Sequence, residues 1–548
     1  TMAALRALFV VVLAGALPLL QAAAPGPAAK SDAEWVKVGA RIPGNPESQH
    51  ERFGEFVSLS ADGLTMLNGG GYPDKTGYIE VFKWTGASVT SAGAWVQVGD
   101  GLPGVHGIIS ADGKTIAIGK VGDNNKGRVQ AWTFDGQVWQ RKGSEIDGEQ
   151  GGDESGRRVG ELSLSADGSV LAIGANVARK EATVATKGSN AGKVRVFEYQ
   201  KYADNWVQRG ETLHGTQSIR YYGRSVSLSS DGNIMAVGAT GFAGHFLDKQ
   251  QVDYGGPSAG YVRVFKWTRM EKKGEVFYRW AQMGADITGE AEEDRFGSSL
   301  SLSADGLSLS IGANLHDTAD MRNVGHVRVF TWQGKTWTQK GQEIVGESLG
   351  DMIGDAGAVH LDASGNVLAI GSRTNDANGE QSGHVRIFRY ESNKWVQAGP
   401  TIQGESEADE AGASVAVVVV QGCLMVAVGE PGHQRDDSET HGHVRAWVLC
   451  PDDADADGSG KDAASPKVKV HGDPVFKYGD KAKQFWMASG RPATLLEWTH
   501  NGTTLKLAGE TFDTADGKHQ ARPYPKLYPH PPSVLSHSCS EVCMSLPP

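Results

Sequence analysis

Short runs of alternating hydrophobic and polar residues recur along most of the chain. Each reads as an apolar residue, serine, leucine and serine, in Val57–Ser60, Leu162–Ser165, Val226–Ser229 and Leu300–Ser303. A period of two residues predicts half-buried β-strands. The tripeptide Ala-Asp-Gly follows several of these runs, as at Ala304–Gly306. It predicts a hairpin, because glycine adopts the positive φ that the turn needs.

Two further strand patterns complete a repeating unit. The second strand ends in Gly-Ala and the third reads Val-Arg-Val-Phe, before a fourth strand that opens with the phrase Trp-x-x-x-Gly. The phrase occurs seven times, at Trp35, Trp95, Trp139, Trp206, Trp280, Trp337 and Trp395. One unit of about 45–70 residues cannot bury its own hydrophobic face, so stacked copies must share a core. Seven units of four antiparallel strands predict an all-β fold, a seven-bladed β-propeller over residues 35–450.

The order of strands at the two ends of this region predicts how the ring closes. The region begins with a fourth-type strand, Trp35–Ile42, and ends with a third-type strand, His443–Leu449. We therefore expect the N-terminal strand to complete the last blade, which also protects an exposed sheet edge. Blade seven departs from the repeat at its first turn, where Val420–Cys423 replaces Ser-Ala-Asp-Gly.

The residues that flank the strands resemble a known family. Phe53-Gly54 and Phe296-Gly297 precede first strands, Gly174-Ala175 and Gly312-Ala313 end second strands, and Gly-x-Val-Arg-Val-Phe forms the third. Repeated in register, these motifs resemble FG-GAP repeats, the blades of the integrin α-subunit propeller and its secreted relatives. In FG-GAP blades that bind calcium, an aspartate-rich loop separates the first two strands. Here that loop is only Ala-Asp-Gly, so the resemblance does not extend to calcium in the blades.

The segments outside the ring differ in composition. Residues 1–24 combine Arg6 with an apolar run and small residues before Pro25, which is the layout of a secretory signal peptide. The alternative is a short membrane anchor, but an apolar core of about 14 residues is short of the roughly 20 that a span needs. Residues 25–34 and the acidic Gly/Asp/Ser-rich residues 451–466 are predicted linkers. We expect residues 467–530 to form a small C-terminal β module and residues 531–548 to be poorly ordered.

Charge and cysteine content narrow the compartment and the partners. The 548-residue chain has a formal net charge of −11, which argues against nucleic acid or an anionic membrane surface as the main partner. Four cysteines do not make a disulfide-built scaffold. Cys423 opens the second strand of blade seven and Cys450 closes its third, so they are candidates for a cross-strand disulfide. We expect a secreted or cell-surface protein with no membrane span after signal cleavage.

An acidic motif recurs in four of the loops that lead from a fourth strand to the next first strand. It reads Gly-Glu-x-x-x-Asp and supplies eight carboxylates, Glu149, Asp153, Glu290, Asp294, Glu347, Asp351, Glu405 and Asp409. In a propeller these loops share one face with the loops between second and third strands. The eight residues are therefore candidates for a ligand face that binds a cation or a cationic group. The alternative is a turn in which the aspartate accepts backbone N–H groups.

Two candidate sites lie beyond the ring. Asp453, Asp455 and Asp457 form the opening of a calcium loop, D-x-D-x-D-G. Position twelve of that loop is not glutamate, so a partial Ca²⁺ site is the most that the pattern predicts. The motifs require no other cofactor. Asn501 begins the sequon for N-glycosylation, Asn-Gly-Thr.

The chain contains no familiar catalytic motif, neither Gly-x-Ser-x-Gly, His-Glu-x-x-His nor a phosphate loop. His326, His384 and His443 share one position of successive blades, which is too wide a spacing for a single metal ion with bonds of about 2 Å. We expect a non-enzymatic binding or adhesion module that meets an extracellular protein or glycan through its rim loops. Two alternatives stay open. One is a polysaccharide hydrolase or lyase with rim carboxylates as acid and base, which two carboxyls about 5–10 Å apart at the channel mouth would favour. The other is a structural protein of a cell wall or matrix.

Overall fold

The structure is a computed structural model of the chain. It describes residues 34–44, 52–71, 77–150, 153–156, 160–176, 191–215, 221–241, 259–434 and 441–451, and beyond them the strands at 477–478, 481–482, 494–500, 503–508, 511–514 and 520–521. The chain divides into two compact units, Thr1–Ala454 and Asp455–Pro548.

Seven small antiparallel sheets form a ring in the first unit. Each sheet runs from an innermost first strand to a fourth strand at the outer edge, and this fourth strand is split into two short pieces that both pair with the third. The predicted all-β, seven-bladed propeller is therefore confirmed, while the break in each outer strand is a feature that the sequence pattern did not predict.

The strands of the first three blades are given from the innermost outward. Blade one contains Phe56–Leu59, Thr65–Gly70, Tyr78–Trp84, Trp95–Gln97 and Leu102–Pro103. Blade two contains His106–Ile109, Thr115–Lys120, Arg128–Phe134, Trp139–Arg141 and Ile146–Asp147, with a 3₁₀ turn at Asp123–Asn125. Blade three contains Leu162–Leu164, Val170–Ala175, Lys193–Gln200, Asn205–Gln208 and Leu213–His214.

The remaining blades repeat the same order. Blade four contains Tyr222–Leu228, Ile234–Ala239, Tyr261–Lys272, Glu275–Gln282 and Ile287–Thr288. Blade five contains Leu300–Leu302, Ser308–Ala313, His326–Trp332, Trp337–Gln339 and Ile344–Val345. Blade six contains Val359–Leu361, Val367–Ser372, His384–Glu391, Lys394–Gln397 and Ile402–Gln403. Blade seven contains Ser414–Val420, Cys423–Glu430 and His443–Leu449, followed by Val36–Lys37 and Ile42–Pro43 from the start of the ring.

The hydrophobic core lies between the blades. It consists of seven clusters, each built from two neighbouring sheets. Met66 of blade one and Met425 of blade seven, for example, are both completely buried in one cluster. Full burial of such a side chain contributes about 1.5–3 kcal/mol, so each blade depends on both of its neighbours for its stability.

The outer-strand tryptophans connect consecutive blades. In every blade the tryptophan Nε1–H donates to a backbone carbonyl oxygen of the preceding blade's outer edge, at 2.7–3.0 Å. The recurrence of Trp-x-x-x-Gly in the sequence thus follows from a contact between blades, in addition to burial of the indole ring.

The two ends of the ring meet in blade seven, as predicted. Val36 lies opposite Val448, and Ile42 lies opposite Val444, in antiparallel register. The Trp35 indole donates to the carbonyl oxygen of Pro400 in blade six at 2.8 Å. The N-terminal strand therefore supplies the outer edge that blade seven lacks.

The Asp-Gly turns form a chain of contacts on one face of the ring. Asp62 accepts the Leu64 N–H within its own turn at 2.9 Å. The Ala61 N–H donates to the carbonyl oxygen of Ala111 in the next turn at 2.8 Å, and equivalent bonds continue to blade six. The Ser-Ala-Asp-Gly segments are thus accounted for by turn formation and blade-to-blade bonding.

The second unit contains two antiparallel sheets among its described residues. Lys477–Tyr478 pairs with Lys481–Ala482. Thr494–His500, Thr503–Ala508, Thr511–Thr514 and Gln520–Ala521 pair in chain order. These strands confirm the predicted small C-terminal β module. Among the described residues of either unit, no helix has the length and apolar character to cross a membrane.

Candidate functional site at the channel mouth

The four aspartates of the repeated acidic loops are buried and bonded within the loops. Asp153, Asp294, Asp351 and Asp409 are only 1–2% exposed. Asp351 Oδ2 accepts the N–H groups of Glu347 and Ser348 at 2.7 and 2.8 Å, and Asp409 is bonded in the same way. This geometry matches the turn interpretation.

Each of the four glutamates in the same loops pairs with a basic residue near the start of the third strand of the following blade. Glu347 pairs with Arg386 at 3.1 Å, and Glu405 pairs with Arg445 at 3.0 Å. Glu290 pairs with Arg328, and Glu149 pairs with Lys193. Each acidic pair is thus engaged separately, in its own loop, and a ligand role for these eight residues stays a prediction.

The remaining predicted features are a disulfide and several sites outside the ring. Cys423 and Cys450 form a disulfide, with their Cα atoms 4.2 Å apart. Asp453, Asp455, Asp457 and Asn501 lie outside the described residues, as do the predicted signal peptide at residues 1–24 and the tail at residues 531–548.

A different group of charged side chains meets where the innermost strands begin. We call Arg52, Glu55, Arg373 and Glu410 the channel-mouth cluster. Glu55 directly precedes the first strand of blade one, and Arg373 directly follows the second strand of blade six. Glu410 stands in the loop that enters the first strand of blade seven. Because innermost strands line the central channel of a propeller, the cluster lies at one mouth of that channel.

The cluster is a closed set of ion pairs. Arg52 Nη2 lies 3.0 Å from Glu55 Oε2 and 2.6 Å from Glu410 Oε2. Arg373 pairs with Glu55 at 3.3 Å and also with Glu410. The four side chains keep 15–27% of their surface exposed, so the cluster is accessible to a small molecule from solvent.

The pairing fixes the charge state of the cluster. Burial acts to raise the pKa of Glu410, but the hydrogen bond from Arg52 and the charge of Arg373 outweigh it and hold this pKa below its usual range. Burial acts to lower the pKa of Arg52, and the carboxylates of Glu410 and Glu55 outweigh it, so this pKa is raised. Glu410 is therefore a carboxylate at neutral pH.

Two members of this cluster, Arg52 and Glu410, occupy a backbone position that recurs around the ring. In six blades, the loop that leads into the first strand contains a non-glycine residue with φ between 47° and 56°, directly before a buried residue. These residues are Arg52, Glu154, Tyr221, Arg295, Met352 and Glu410. The backbone is the same at all six positions, but the side chains differ in charge and size. Variation on a fixed frame is typical of positions that contact ligands.

Comparisons with known proteins assign the chain to no family. No protein-family model and no curated protein matches the chain. Solved propellers match it at low identity. Two structures provisionally described as 6-phosphogluconolactonases come from Bacteroides uniformis and Bacteroides fragilis. The first has 11% identity, covers 65% of this chain and 86% of its own, and has a TM-score of 0.42. The second has 10% identity, covers 69% and 97%, and has a TM-score of 0.41.

A third similar structure is the periplasmic gluconolactonase of Pseudomonas aeruginosa, with 15% identity, 64% of this chain and 85% of that chain covered, and a TM-score of 0.39. At such identities and TM-scores the likeness assigns this chain neither a family nor an activity. The expectation of a non-enzymatic adhesion module is nevertheless corrected, because the propellers that match are described as enzymes. The resemblance to FG-GAP repeats stays a prediction from the motifs.

Proposed function

We propose that the protein is an exported hydrolase that cleaves a small polyhydroxylated ester or lactone at the channel-mouth cluster. One observation carries the proposal: two carboxylates and two guanidiniums from three blades converge at the mouth of the channel, half-buried and open to solvent. The proposed residues do not include the eight carboxylates of the acidic motif, although Glu410 directly follows Asp409 in one of those loops.

The two carboxylates of the cluster are close neighbours. Glu55 Oε2 and Glu410 Oε2 both contact Nη2 of Arg52, at 3.0 and 2.6 Å. The two oxygens are therefore less than about 6 Å apart, which is the scale on which paired carboxylates act on one substrate.

The charges assign a role to each residue. The ionised Glu410 takes a proton from a water molecule, whose oxygen then bonds to the carbonyl carbon of the substrate. The electron pair of the carbonyl moves to its oxygen, which the guanidiniums of Arg52 and Arg373 stabilise. Collapse of this intermediate breaks the bond to the alkoxide, which recovers the proton from Glu410. Glu55 holds both arginines and accepts hydrogen bonds from substrate hydroxyls.

The same charges favour an ester or lactone over a glycoside. Cleavage of a glycosidic bond needs a protonated carboxyl group with a raised pKa to assist the leaving oxygen. The pKa of Glu410 is lowered, so this residue is ionised at neutral pH and does not supply that proton. An ester or lactone requires a base and anion-stabilising donors, and the cluster contains both.

Export is supported by the disulfide. Disulfides persist in oxidising compartments, and Cys423–Cys450 joins the second and third strands of blade seven. The N-terminal pattern of residues 1–24 agrees with this compartment.

Hydrolysis rates test the proposal. The full chain is assayed above the buffer rate on glucono-δ-lactone, an acetylated monosaccharide and p-nitrophenyl acetate. We expect turnover of at least one compound, and a fall of about 10²–10³-fold in kcat for Arg373→Met, because one stabilising donor is lost. Arg389→Met, which changes an arginine on the third strand of blade six away from the cluster, is the control. Absence of turnover on all three compounds, or full turnover by folded Arg373→Met, contradicts the proposal.

A further inference from the structure

Blade five contains a group of metal-ligand side chains far from the channel-mouth cluster in sequence. His326 begins the third strand, His316 lies in the loop before that strand, and Glu343 directly precedes the outer piece Ile344–Val345. One potential ligand atom from each of the three lies within 4.8 Å of the others. Imidazole and carboxylate are ligands that zinc and related divalent ions accept.

His326 is an unpartnered buried imidazole. It is 0% exposed, and neither ring nitrogen has a hydrogen-bond partner among the described residues. Its Nδ1 lies 3.2 Å from Glu343 Oε2, but out of line for a hydrogen bond. Two ligands of one tetrahedral ion, with bonds of about 2.0–2.1 Å, are separated by roughly 3.3 Å. The spacing of these two atoms therefore fits shared coordination.

His316 is held by a carboxylate on its other side. Its Nδ1 contacts Asp294 Oδ2 at 3.0 Å, and the Asp294 side chain is 2% exposed. A carboxylate on one nitrogen keeps the proton there and leaves the lone pair of Nε2 for an ion. The two imidazole rings lie face to face, 4.1 Å between centroids. Coordination of one ion by both rings therefore requires His316 to move toward the ion, and its position in a loop allows this movement.

Blade seven repeats the histidine pair with a different third residue. His433 contacts Asp409 at 2.9 Å and lies against His443, with 4.0 Å between ring centroids. Arg41 directly precedes Ile42, as Glu343 precedes Ile344, and its Nη1 is 3.3 Å from His433 Nε2. In blade seven a guanidinium thus faces the free nitrogen of the loop histidine. By the same register, we expect Nε2 of His316 to face Glu343.

The combination does not recur in the parts of the other blades that the structure describes. His384 of blade six is 1% exposed and also without a hydrogen-bond partner, but Asn375 and Thr401 take the other two positions. In blade two, Glu145 at the position of Glu343 pairs with Arg128 at 3.3 Å. Among the described residues, blade five combines an acid at this position with two imidazoles, and the ion pair of that acid is with His326, not with a lysine or arginine.

We propose that blade five binds one divalent transition-metal ion, of the zinc type, through His316, His326 and Glu343, with Asp294 orienting His316. Three protein ligands leave a fourth position, on the solvent side where Glu343 is 43% exposed. The ion joins the loop before the third strand to the outer strand. This site is independent of the proposed hydrolase activity.

Calorimetry with zinc chloride on the chelator-treated full chain tests the site. We expect one zinc ion per chain, a raised melting temperature, and about 10–100-fold weaker binding by Asp294→Asn, the range found for orienting carboxylates. Glu343→Arg copies the blade-seven arrangement, so it should keep the fold and lose binding. His384→Gln and His433→Gln are matched controls that should bind as the wild type does.

Each of three outcomes would overturn the proposal. No zinc binding by the wild type at micromolar zinc overturns the proposal. Equal binding by the wild type and a folded Glu343→Arg variant also overturns it, since the ion then lies elsewhere. Loss of binding in His433→Gln with retention in Glu343→Arg would place the ion in blade seven and likewise overturn the assignment.

Discussion

At the scale of the residue, this propeller varies its chemistry on a repeated backbone. In the strand-entry loops, the repeated position with positive φ holds Arg52 in blade one and Glu410 in blade seven. These two residues bond to each other between the two blades. The position before the outer strand piece holds Glu343 in blade five and Arg41 in blade seven. Motif reading emphasises what repeats, so it found the acidic turns. The proposed site consists of residues that differ between repeats.

The charge of Glu410 should make stability depend on pH. Its pKa is lowered in the folded protein, so its contribution is present above the unfolded value of about 4.3 and is lost as pH falls through the folded value. Glu410→Gln should therefore cost about 1.5–3 kcal/mol at neutral pH, the value of hydrogen bonds to charged groups.

Chemical unfolding at neutral and acidic pH measures this effect. The difference between wild type and Glu410→Gln should shrink as pH falls below about 4.3. Glu391→Gln, at an exposed glutamate that ends the third strand of blade six, should match the wild type at both pH values. A difference that stays constant with pH would show that the loss comes from packing and not from charge.

At the scale of the element, turn chemistry and close backbone packing determine the blades. The strands, the Asp-Gly hairpins and the need for a shared core were readable from the sequence, because each depends on neighbours in the chain. The split outer strands were not, since they depend on pairing with the third strand at two separate points. The channel-mouth cluster was not readable for the same reason, because its residues come from blades one, six and seven.

Glycine at the end of a second strand should be essential where two blades touch. A Cβ on Gly429 would collide with the backbone carbonyl oxygen of Gly54 in the next blade. We expect Gly429→Ala to lower the free energy of unfolding by about 2–3 kcal/mol, as overpacking does. At Gly101 the nearest atom to a new Cβ is a Tyr78 side-chain carbon at 3.3 Å, so Gly101→Ala is the control. Equal melting temperatures for the two variants would contradict this account.

At the scale of the whole molecule, the ring is closed by its first strand. Val38 and Ile42 are 3% and 5% exposed in the cluster shared by blades seven and one. The predicted closure from Trp35–Ile42 was correct because the order of strand types at the two ends allowed few other arrangements. The function predicted for the whole molecule was not correct, since a rigid ring with variable loops is compatible with enzymes as well as with binding modules.

Loss of the closing strand should destabilise the entire ring. Deletion of residues 34–43 exposes the edge of His443–Leu449 and one side of a core cluster, so the melting temperature should fall sharply in calorimetry. Ile42→Ala alone should cost about 2–5 kcal/mol. Val36→Thr, at a position that is 62% exposed, should have little effect. An unchanged melting temperature after the deletion would contradict closure by this strand.

The most direct test of the channel mouth as an active site is the turnover number of Glu410→Gln. It is measured on the compound that the wild type hydrolyses fastest, with Glu391→Gln as the control and the fold verified by circular dichroism. We predict a fall of about 10²–10⁴-fold in kcat, because the base is lost, and an unchanged kcat for the control. A folded Glu410→Gln variant with the wild-type kcat would contradict the assignment.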